Sequence, residues 1–275
     1  MRSRAARRRE SPALVSAGAT CEARGMASLF DSREFNQRLF FARPDVTPPP
    51  AHAIDFEVTT EVALHVRWHR RRTELPTLLL FHGNGEVVAD YDESADRFAD
   101  VGVNLAVMDY RGYGRSAGNP TLRTALADAH GVLDAVRARS GTPLIVMGRS
   151  LGSACANELY ASSPASVGGF VLESGFVDLG ALIRRRGLTM PAELSHEELA
   201  AFDPIPKLAR GNRPLLVLHG ANDTMIAVDE AQRAFGAAGA QDKELVVIPN
   251  RGHNDVSLEV RYWEALAKLV ARVRG

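Results

Sequence analysis

The chain has 275 residues, of which 45% are hydrophobic and 24% are charged, and its formal net charge is zero. This composition is typical of one large globular α/β domain and excludes a strongly basic nucleic-acid binder. No apolar run approaches the roughly 18 residues that a membrane-spanning helix needs. The two cysteines, Cys21 and Cys155, favour neither a disulfide nor a Cys-x-x-Cys metal site, so we expect a cytoplasmic protein.

The first 25 residues differ in composition from the rest of the chain. They carry six arginines and two glutamates and show no apolar periodicity, which predicts a disordered basic tail over 1–25. Two other interpretations are a secretory signal, for which the apolar run at 12–17 is too short and interrupted, and translation from Met26. We therefore place a single domain at 26–275.

Apolar and aromatic residues recur between Leu29 and Phe41, before a proline-rich stretch at 44–50. They predict an amphipathic helix packed on the domain, with peripheral docking on a membrane surface as the alternative. Alternating apolar residues at 54–58 and 64–68 then predict two half-buried strands that form an antiparallel hairpin at the edge of a sheet.

Beyond the hairpin, the pattern changes to short, continuous apolar runs separated by helical segments. The runs predict strands buried on both faces, at 78–81, 105–108, 144–147, 170–172, 215–218 and 245–248. The intervening segments predict crossover helices, at 87–100, 121–139, 151–162, 227–238 and 256–273. With the hairpin, this is a mostly parallel, eight-stranded, doubly wound sheet of the α/β class. Ligands of such sheets bind beyond the carboxyl ends of the strands, so the residues that follow each strand are the candidates for a site.

The pattern G-x-S-x-G occurs twice, around Ser116 and around Ser150. In a nucleophile elbow, the serine stands on a sharp turn from a strand into a helix, with its hydroxyl exposed above the sheet. Only Ser150 has this frame, because Ser116 lies well beyond the end of its strand and is followed by Asn119 and Pro120. Ser150 is therefore the predicted nucleophile, and Ser116 is a predicted turn residue.

Acid and base candidates follow later strands, at the same end of the sheet as Ser150. Asp223 and His253 are these candidates, and with Ser150 they give the chain order serine, aspartate, histidine. In such a triad, the histidine takes the serine proton as the hydroxyl attacks a carbonyl carbon. Asp229 and Asp255 are predicted to cap the helices that follow, with Asp255 as a reserve acid.

In this order, the motifs at the strand ends resemble those of the α/β-hydrolase superfamily. The likeness spans about residues 54–273, and the motifs lie at 82–85, 110–116, 148–152, 219–223 and 252–255. The resemblance implies an α/β-hydrolase fold and a serine hydrolase of the compact, lidded branch that includes lipid-ester and thioester hydrolases. It gives Ser150, Asp223 and His253 the roles of nucleophile, acid and base. It also assigns the oxyanion hole to the backbone N–H groups of Asn84 and Leu151.

In this family, the segment after the sixth strand usually carries a lid, and here that insertion spans about 176–208. Its apolar residues would shape an acyl pocket. Three consecutive arginines, Arg184, Arg185 and Arg186, would either hold an anionic group or form a solvated helix face.

The resemblance implies cleavage of a carboxylic ester or thioester through an acyl-enzyme on Ser150, with a small-molecule or acyl substrate. A serine peptidase of the aminopeptidase or oligopeptidase type shares the triad and is the first alternative. A non-catalytic binding protein of the same fold is the second. The chain has no glycine-rich phosphate motif and its two cysteines lie too far apart for a Cys-x-x-Cys metal site, so we expect no cofactor and no metal ion, with a two-histidine site at His82 and His219 as the minor alternative.

Overall fold

A computed structural model describes residues 28–189 and 194–275 of the chain. The predicted tail at 1–25 lies outside the described residues, as do positions 190–193 of the predicted lid. Strands β1 to β8 are Ala53–Thr59, Ala63–His69, Thr77–Phe81, Asn104–Met108, Leu144–Arg149, Val167–Glu173, Leu215–Gly220 and Lys243–Ile248. Helices α1 to α9 are Arg33–Leu39, Ala95–Asp100, Leu122–Ser140, Ser153–Ser162, Leu179–Arg185, His196–Phe202, Pro204–Arg210, Val228–Ala237 and Val260–Arg274.

The strands form one eight-stranded sheet in the order β1-β2-β4-β3-β5-β6-β7-β8. The hairpin of β1 and β2 is antiparallel, and β2 pairs antiparallel with β4. All pairings from β4 to β8 are parallel. The predicted mostly parallel, doubly wound sheet with an antiparallel edge hairpin is confirmed.

The central strands are buried on both faces, as their continuous apolar runs predicted. In β3, Leu79 and Phe81 enter one core while Leu78 and Leu80 enter the other, because successive side chains of a strand point to opposite faces. The first core packs against α1, α3, α4 and α8, and the second packs against α2 and α9. This double burial leaves only the ends of the parallel strands free to build a site.

The segment before the hairpin packs on the domain. Phe30, Phe35 and Leu39 are fully buried in the first core, and Ser32 caps α1 by accepting a hydrogen bond from the Phe35 N–H at 3.2 Å. Phe41, just beyond the helix, has 56% of its surface exposed. The segment therefore buries its apolar face in the first core, as the first of the two interpretations predicted.

The prediction of a half-buried strand is wrong for β2, which is buried at all positions except its first. Its polar side chains face charged partners from other parts of the chain. The Arg67 guanidinium donates to Asp55 and Asp92, each at 2.8 Å, and His65 Nδ1 lies 2.8 Å from Asp109 Oδ2. These interactions compensate the buried charges, so the polar face of β2 can be buried.

Both predicted helix caps are wrong. Helix α8 begins one residue before Asp229, with Ala227 at its N-cap. A short 3-10 turn at Val256–Leu258 delays the start of α9, so the N-cap is Glu259 rather than Asp255. The carboxylate of Asp255 instead accepts a hydrogen bond from the Gly252 N–H at 2.6 Å and closes the loop that carries His253.

The helix predicted at 87–100 is divided into a 3-10 turn at Val88–Tyr91 and the short helix α2. Within 28–189 and 194–275, no helix has both the length and the apolar character needed to cross a membrane.

Candidate active site

Ser150 stands where β5 turns into α4. Its φ of +50° lies in the left-handed region, which a residue with a side chain rarely adopts. A Cβ atom on Gly148 would collide with the Gly152 carbonyl, and one on Gly152 would collide with the Phe81 carbonyl. Two glycines are therefore needed for the strand, turn and helix to approach this closely. The spacing of the motif follows from this steric requirement.

The structure brings the three predicted triad residues together in one hydrogen-bonded line. His253 Nε2 lies 2.8 Å from Ser150 Oγ, and His253 Nδ1 lies 2.7 Å from Asp223 Oδ2. Asp223 follows β7 and His253 follows β8, and both side chains are buried. A buried carboxylate on one imidazole nitrogen and a hydroxyl on the other orient the ring for proton transfer.

The Asp223 carboxylate is fixed by further donors. Its Oδ1 accepts from the backbone N–H groups of Met225 and Ile226, both at 2.8 Å. Its Oδ2 also lies 3.3 Å from Nε2 of the buried His219. Burial alone would raise the pKa of Asp223, but the hydrogen bonds from His219, His253 and Ile226 lower it well below its ordinary value. Asp223 is therefore a permanently ionised acceptor for His253.

The side chain of Asn84, in the loop after β3, is held by three hydrogen bonds. Its Oδ1 accepts from the Phe41 N–H at 2.8 Å and from the Tyr113 hydroxyl at 2.7 Å. Its Nδ2 donates to the Leu39 carbonyl at 2.5 Å. The brace therefore comes from the C-terminal end of α1, from Phe41 just beyond it, and from the loop after β4.

Two neighbouring backbone N–H groups of the same loop, those of Gly83 and Asn84, differ in their hydrogen bonding. The Gly83 N–H donates to Glu86 Oε2 at 2.7 Å. Within the described ranges, no acceptor lies on the Asn84 N–H. Asn84 is thus the residue of this pair whose backbone can still donate to a ligand.

Arg149, directly before Ser150, connects two loops of the site with the end of β6. Its guanidinium forms an ion pair with Glu86 and donates to Glu173 Oε1 at 3.1 Å and to Asn254 Oδ1 at 2.8 Å. Burial alone would lower the pKa of Arg149, but the carboxylates of Glu173 and Glu86 raise it above its ordinary value. The sequence analysis missed this residue, because the pattern G-x-S-x-G leaves its position free.

We expect Arg149→Met to lower the free energy of unfolding by about 3 kcal/mol, because two largely buried carboxylates would lose their cation. Urea denaturation followed by circular dichroism measures the loss. Arg261→Met, on the exposed face of α9, is the control and should change stability by less than about 0.5 kcal/mol. Equal stability of the two variants would contradict a structural role for the Arg149 pairs.

A cavity of about 260 Å³ opens beside Ser150 and His253. The predicted lid contributes Leu182 from α5, together with Arg185 and Arg186 at the end of that helix. Arg184 and Arg185 are both exposed, as a solvated helix face predicts, and Arg186 is half-buried, while Arg185 and Arg186 also line the cavity. Apolar walls come from these four residues: Phe176, Met225, Ile226 and Leu151.

Residues considered for other roles lie away from the triad. Ser116 is buried in a turn, where its hydroxyl donates to the Asp109 carbonyl at 2.7 Å and accepts from the His65 N–H at 2.8 Å. Cys155 is a free, buried thiol. In the parts of the chain that the structure describes, no three histidine, cysteine or acidic side chains cluster in a way that could hold a metal ion.

Comparison with known protein families gives a match over residues 74–204 to the family described as serine aminopeptidase, S33. The Schizosaccharomyces pombe protein bem46 is 27% identical over 203 residues, which cover 71% of this chain and 67% of that protein. The human alpha/beta hydrolase domain-containing protein 17B is 29% identical over 205 residues, which cover 71% of this chain and 66% of that protein.

Comparison with solved structures supports the same fold. The Pyrococcus furiosus esterase Pf2001 superposes with a TM-score of 0.69 at 19% identity, over 85% of this chain and 100% of that one. The sheet order, the elbow after β5 and these likenesses agree with one another. The chain belongs to the α/β-hydrolase superfamily.

Proposed function

We propose that this protein is a serine hydrolase that cleaves a carboxylic ester or thioester through an acyl-enzyme on Ser150. The observation that carries the proposal is the line from Ser150 Oγ through His253 to Asp223, with hydrogen-bond distances of 2.8 and 2.7 Å. The first distance is short enough for direct proton transfer from the nucleophile to its base, and the second lets Asp223 orient that base.

In the first half of the reaction, Ser150 Oγ attacks the carbonyl carbon and its proton passes to His253 Nε2. Asp223 accepts the hydrogen bond from Nδ1–H and stabilises the imidazolium that forms. The N–H groups of Leu151 and Asn84 bind the tetrahedral oxyanion, where loss of one donor costs roughly 10²–10³ in rate. His253 then gives its proton to the leaving alkoxide or thiolate as that bond breaks.

In the second half, water attacks the acyl-enzyme while His253 Nε2 accepts its proton. The tetrahedral intermediate collapses, the bond to Ser150 Oγ breaks, and the proton returns to the serine. The carboxylic acid leaves and the triad is restored. Every proton in this cycle is carried by His253, so the steps call for no cofactor and no metal ion.

Aminopeptidase activity is the second candidate, because the matching family is described as serine aminopeptidase. The same triad can attack an amide. An aminopeptidase must also hold the positively charged amino terminus of a peptide, usually with carboxylates. The titratable side chains that line the cavity, among those described, are Arg185, Arg186 and the triad histidine. Arg185 is paired with Glu230, so Arg186 is the cation that would repel an ammonium group, and its charge favours the ester or thioester substrate.

A fluorophosphonate probe tests the proposal, because it forms a stable bond only with an activated serine. We expect wild-type protein to be labelled, with the adduct mapped by mass spectrometry to the peptide that contains Ser150. Ser116→Ala should still be labelled, since that hydroxyl lies in a buried turn. Labelling elsewhere, or none with folded protein, would contradict the assignment of Ser150.

The substrate class is tested with the same protein. p-Nitrophenyl esters of increasing chain length and p-nitroanilides of single amino acids are offered in parallel. Hydrolysis of the esters with little or no cleavage of the anilides supports the proposal. Faster cleavage of the anilides would favour the aminopeptidase candidate instead.

A further inference from the structure

Arg186 is held in place at the mouth of the cavity beside Ser150. It is the C-cap of α5, and its N–H donates to the carbonyls of Leu182 and Ile183 at 3.2 and 3.1 Å. Its own carbonyl accepts from Arg38 Nη1 at 3.4 Å. The following Gly187 has a φ of +68°, which ends the helix here. These hydrogen bonds fix the backbone of Arg186, and its side chain lines the cavity.

Its neighbour Arg185 already has an anionic partner. Arg185 Nη1 lies 2.7 Å from Oε1 of the buried Glu230. The other oxygen of Glu230 accepts from the N–H groups of Val177 and Asp178, at 2.9 and 3.0 Å. Both oxygens of Glu230 have donors, and its negative charge compensates the positive charge of Arg185 within the fold.

Arg186 is different. Its guanidinium lies over the ring of Phe41, 5.1 Å from the centroid, and its Nε is buried with no hydrogen-bond partner in the described residues. None of the ion pairs formed by the described carboxylates involves this side chain. Burial and the nearby Arg185 also lower the pKa of Arg186 from its ordinary value. A partly buried, unpaired guanidinium is costly unless an anion binds it.

We infer that Arg186 is the anion-binding subsite of the substrate pocket, and that the substrate carries a carboxylate or phosphate group near its scissile ester. The inference rests on the proposed function, because it takes the cavity beside Ser150 to be the substrate pocket. The planar guanidinium fits both anions, since each offers two oxygens to parallel N–H donors. The apolar walls from Phe176, Leu182 and Ile226 suit the hydrocarbon part of the same molecule.

The test compares matched neutral and anionic esters. p-Nitrophenyl hexanoate and the mono-p-nitrophenyl ester of adipic acid differ in a carboxylate at the end of the acyl chain. p-Tolyl acetate, 4-acetoxybenzoate and 4-acetoxyphenyl phosphate differ in the charge of the leaving group. The readout is the ratio of kcat/KM for the anionic ester to that for its neutral partner. It is measured for wild type, Arg186→Gln, Arg186→Lys and the control Arg184→Gln.

We expect wild type to prefer the anionic ester in at least one pair. Arg186→Gln should lower that ratio by roughly tenfold or more, because a charge-assisted hydrogen bond is lost. Arg186→Lys should restore part of the preference, and Arg184→Gln should leave the ratio unchanged, since Arg184 faces solvent outside the cavity. The pair that shows the effect tells whether the anion belongs to the acyl chain or to the leaving group, and whether it is a carboxylate or a phosphate.

The inference is overturned if wild type shows no preference in any pair, or if Arg186→Gln keeps the wild-type ratio. In both cases, hydrolysis of the neutral esters and fluorophosphonate labelling of Ser150 would show that the proposed function stands. If no ester is hydrolysed and Ser150 is not labelled, the proposed function fails and the subsite fails with it. Thermal denaturation and retained labelling establish that Arg186→Gln is folded.

Discussion

Ser150→Ala is expected to lower kcat for ester hydrolysis by about 10⁶-fold, the scale seen when a triad nucleophile is removed. The alanine leaves His253 with no hydroxyl to deprotonate, so only binding and the oxyanion donors remain. Steady-state and single-turnover assays with the best p-nitrophenyl ester measure the loss. The fold should be retained, because serine and alanine bear similar strain at the φ of +50° found here.

The matched control for this prediction is Ser116→Ala, which alters the other copy of the pattern. Its hydroxyl lies in a buried turn, and its loss should lower stability by about 1 kcal/mol while kcat stays within tenfold of wild type. If Ser150→Ala kept a tenth of the wild-type rate while Ser116→Ala abolished it, the elbow at the end of β5 would not be the site of chemistry.

Asp223→Asn is expected to lower kcat by about 10⁴-fold, as in triads whose acid is replaced by an amide. The carboxylate accepts the hydrogen bond from His253 Nδ1 at 2.7 Å and stabilises the imidazolium. An amide lacks the negative charge, and its NH₂ group can turn towards the ring and favour the wrong tautomer. Because hydrogen bonds hold the pKa of Asp223 far below its ordinary value, this acid is ionised at neutral pH. Steady-state hydrolysis of the best p-nitrophenyl ester at neutral pH measures the defect.

Asp255→Asn is the matched control for the acid. Asp255 lies two residues after His253, but its carboxylate accepts from the Gly252 N–H at 2.6 Å and braces the loop. We expect kcat to fall by less than tenfold, since the line from Ser150 to Asp223 is intact. A loss equal to that of Asp223→Asn would transfer the role of acid to Asp255.

Much of the fold could be predicted because it follows from local patterns. Continuous apolar runs such as Leu78–Leu80 must be buried on both faces, and helical periodicity between the runs dictates parallel strands. The meeting of Ser150, Asp223 and His253 follows from the same logic, since all three lie just beyond strands whose carboxyl ends share one edge of the sheet. Local propensity and topology agree at each of these positions.

What could not be predicted depends on pairings between distant parts of the chain. Arg67 looks like a solvent-facing residue of an alternating strand until Asp55 and Asp92 are seen to enclose it. The contacts of Arg149 with Glu86 and Asn254 join residues 63 and 105 positions apart. Hydrophobic periodicity in the sequence does not reveal such contacts, because it is the same whether a charged side chain is solvated or paired in the interior.

The hydrogen bonds that join Asn84 to the Leu39 carbonyl and to the Phe41 N–H have a further consequence. These two residues lie before position 74, where the likeness to the serine aminopeptidase family begins, yet they shape the loop that carries a predicted oxyanion donor. The ring of Phe41 also supports Arg186 at the cavity mouth. One short segment with no triad residue thus contacts both the loop of the predicted oxyanion donor and the arginine proposed to bind an anion. We therefore expect substitutions confined to residues 39–41 to change the rate of hydrolysis and the substrate selectivity while the catalytic residues are unchanged.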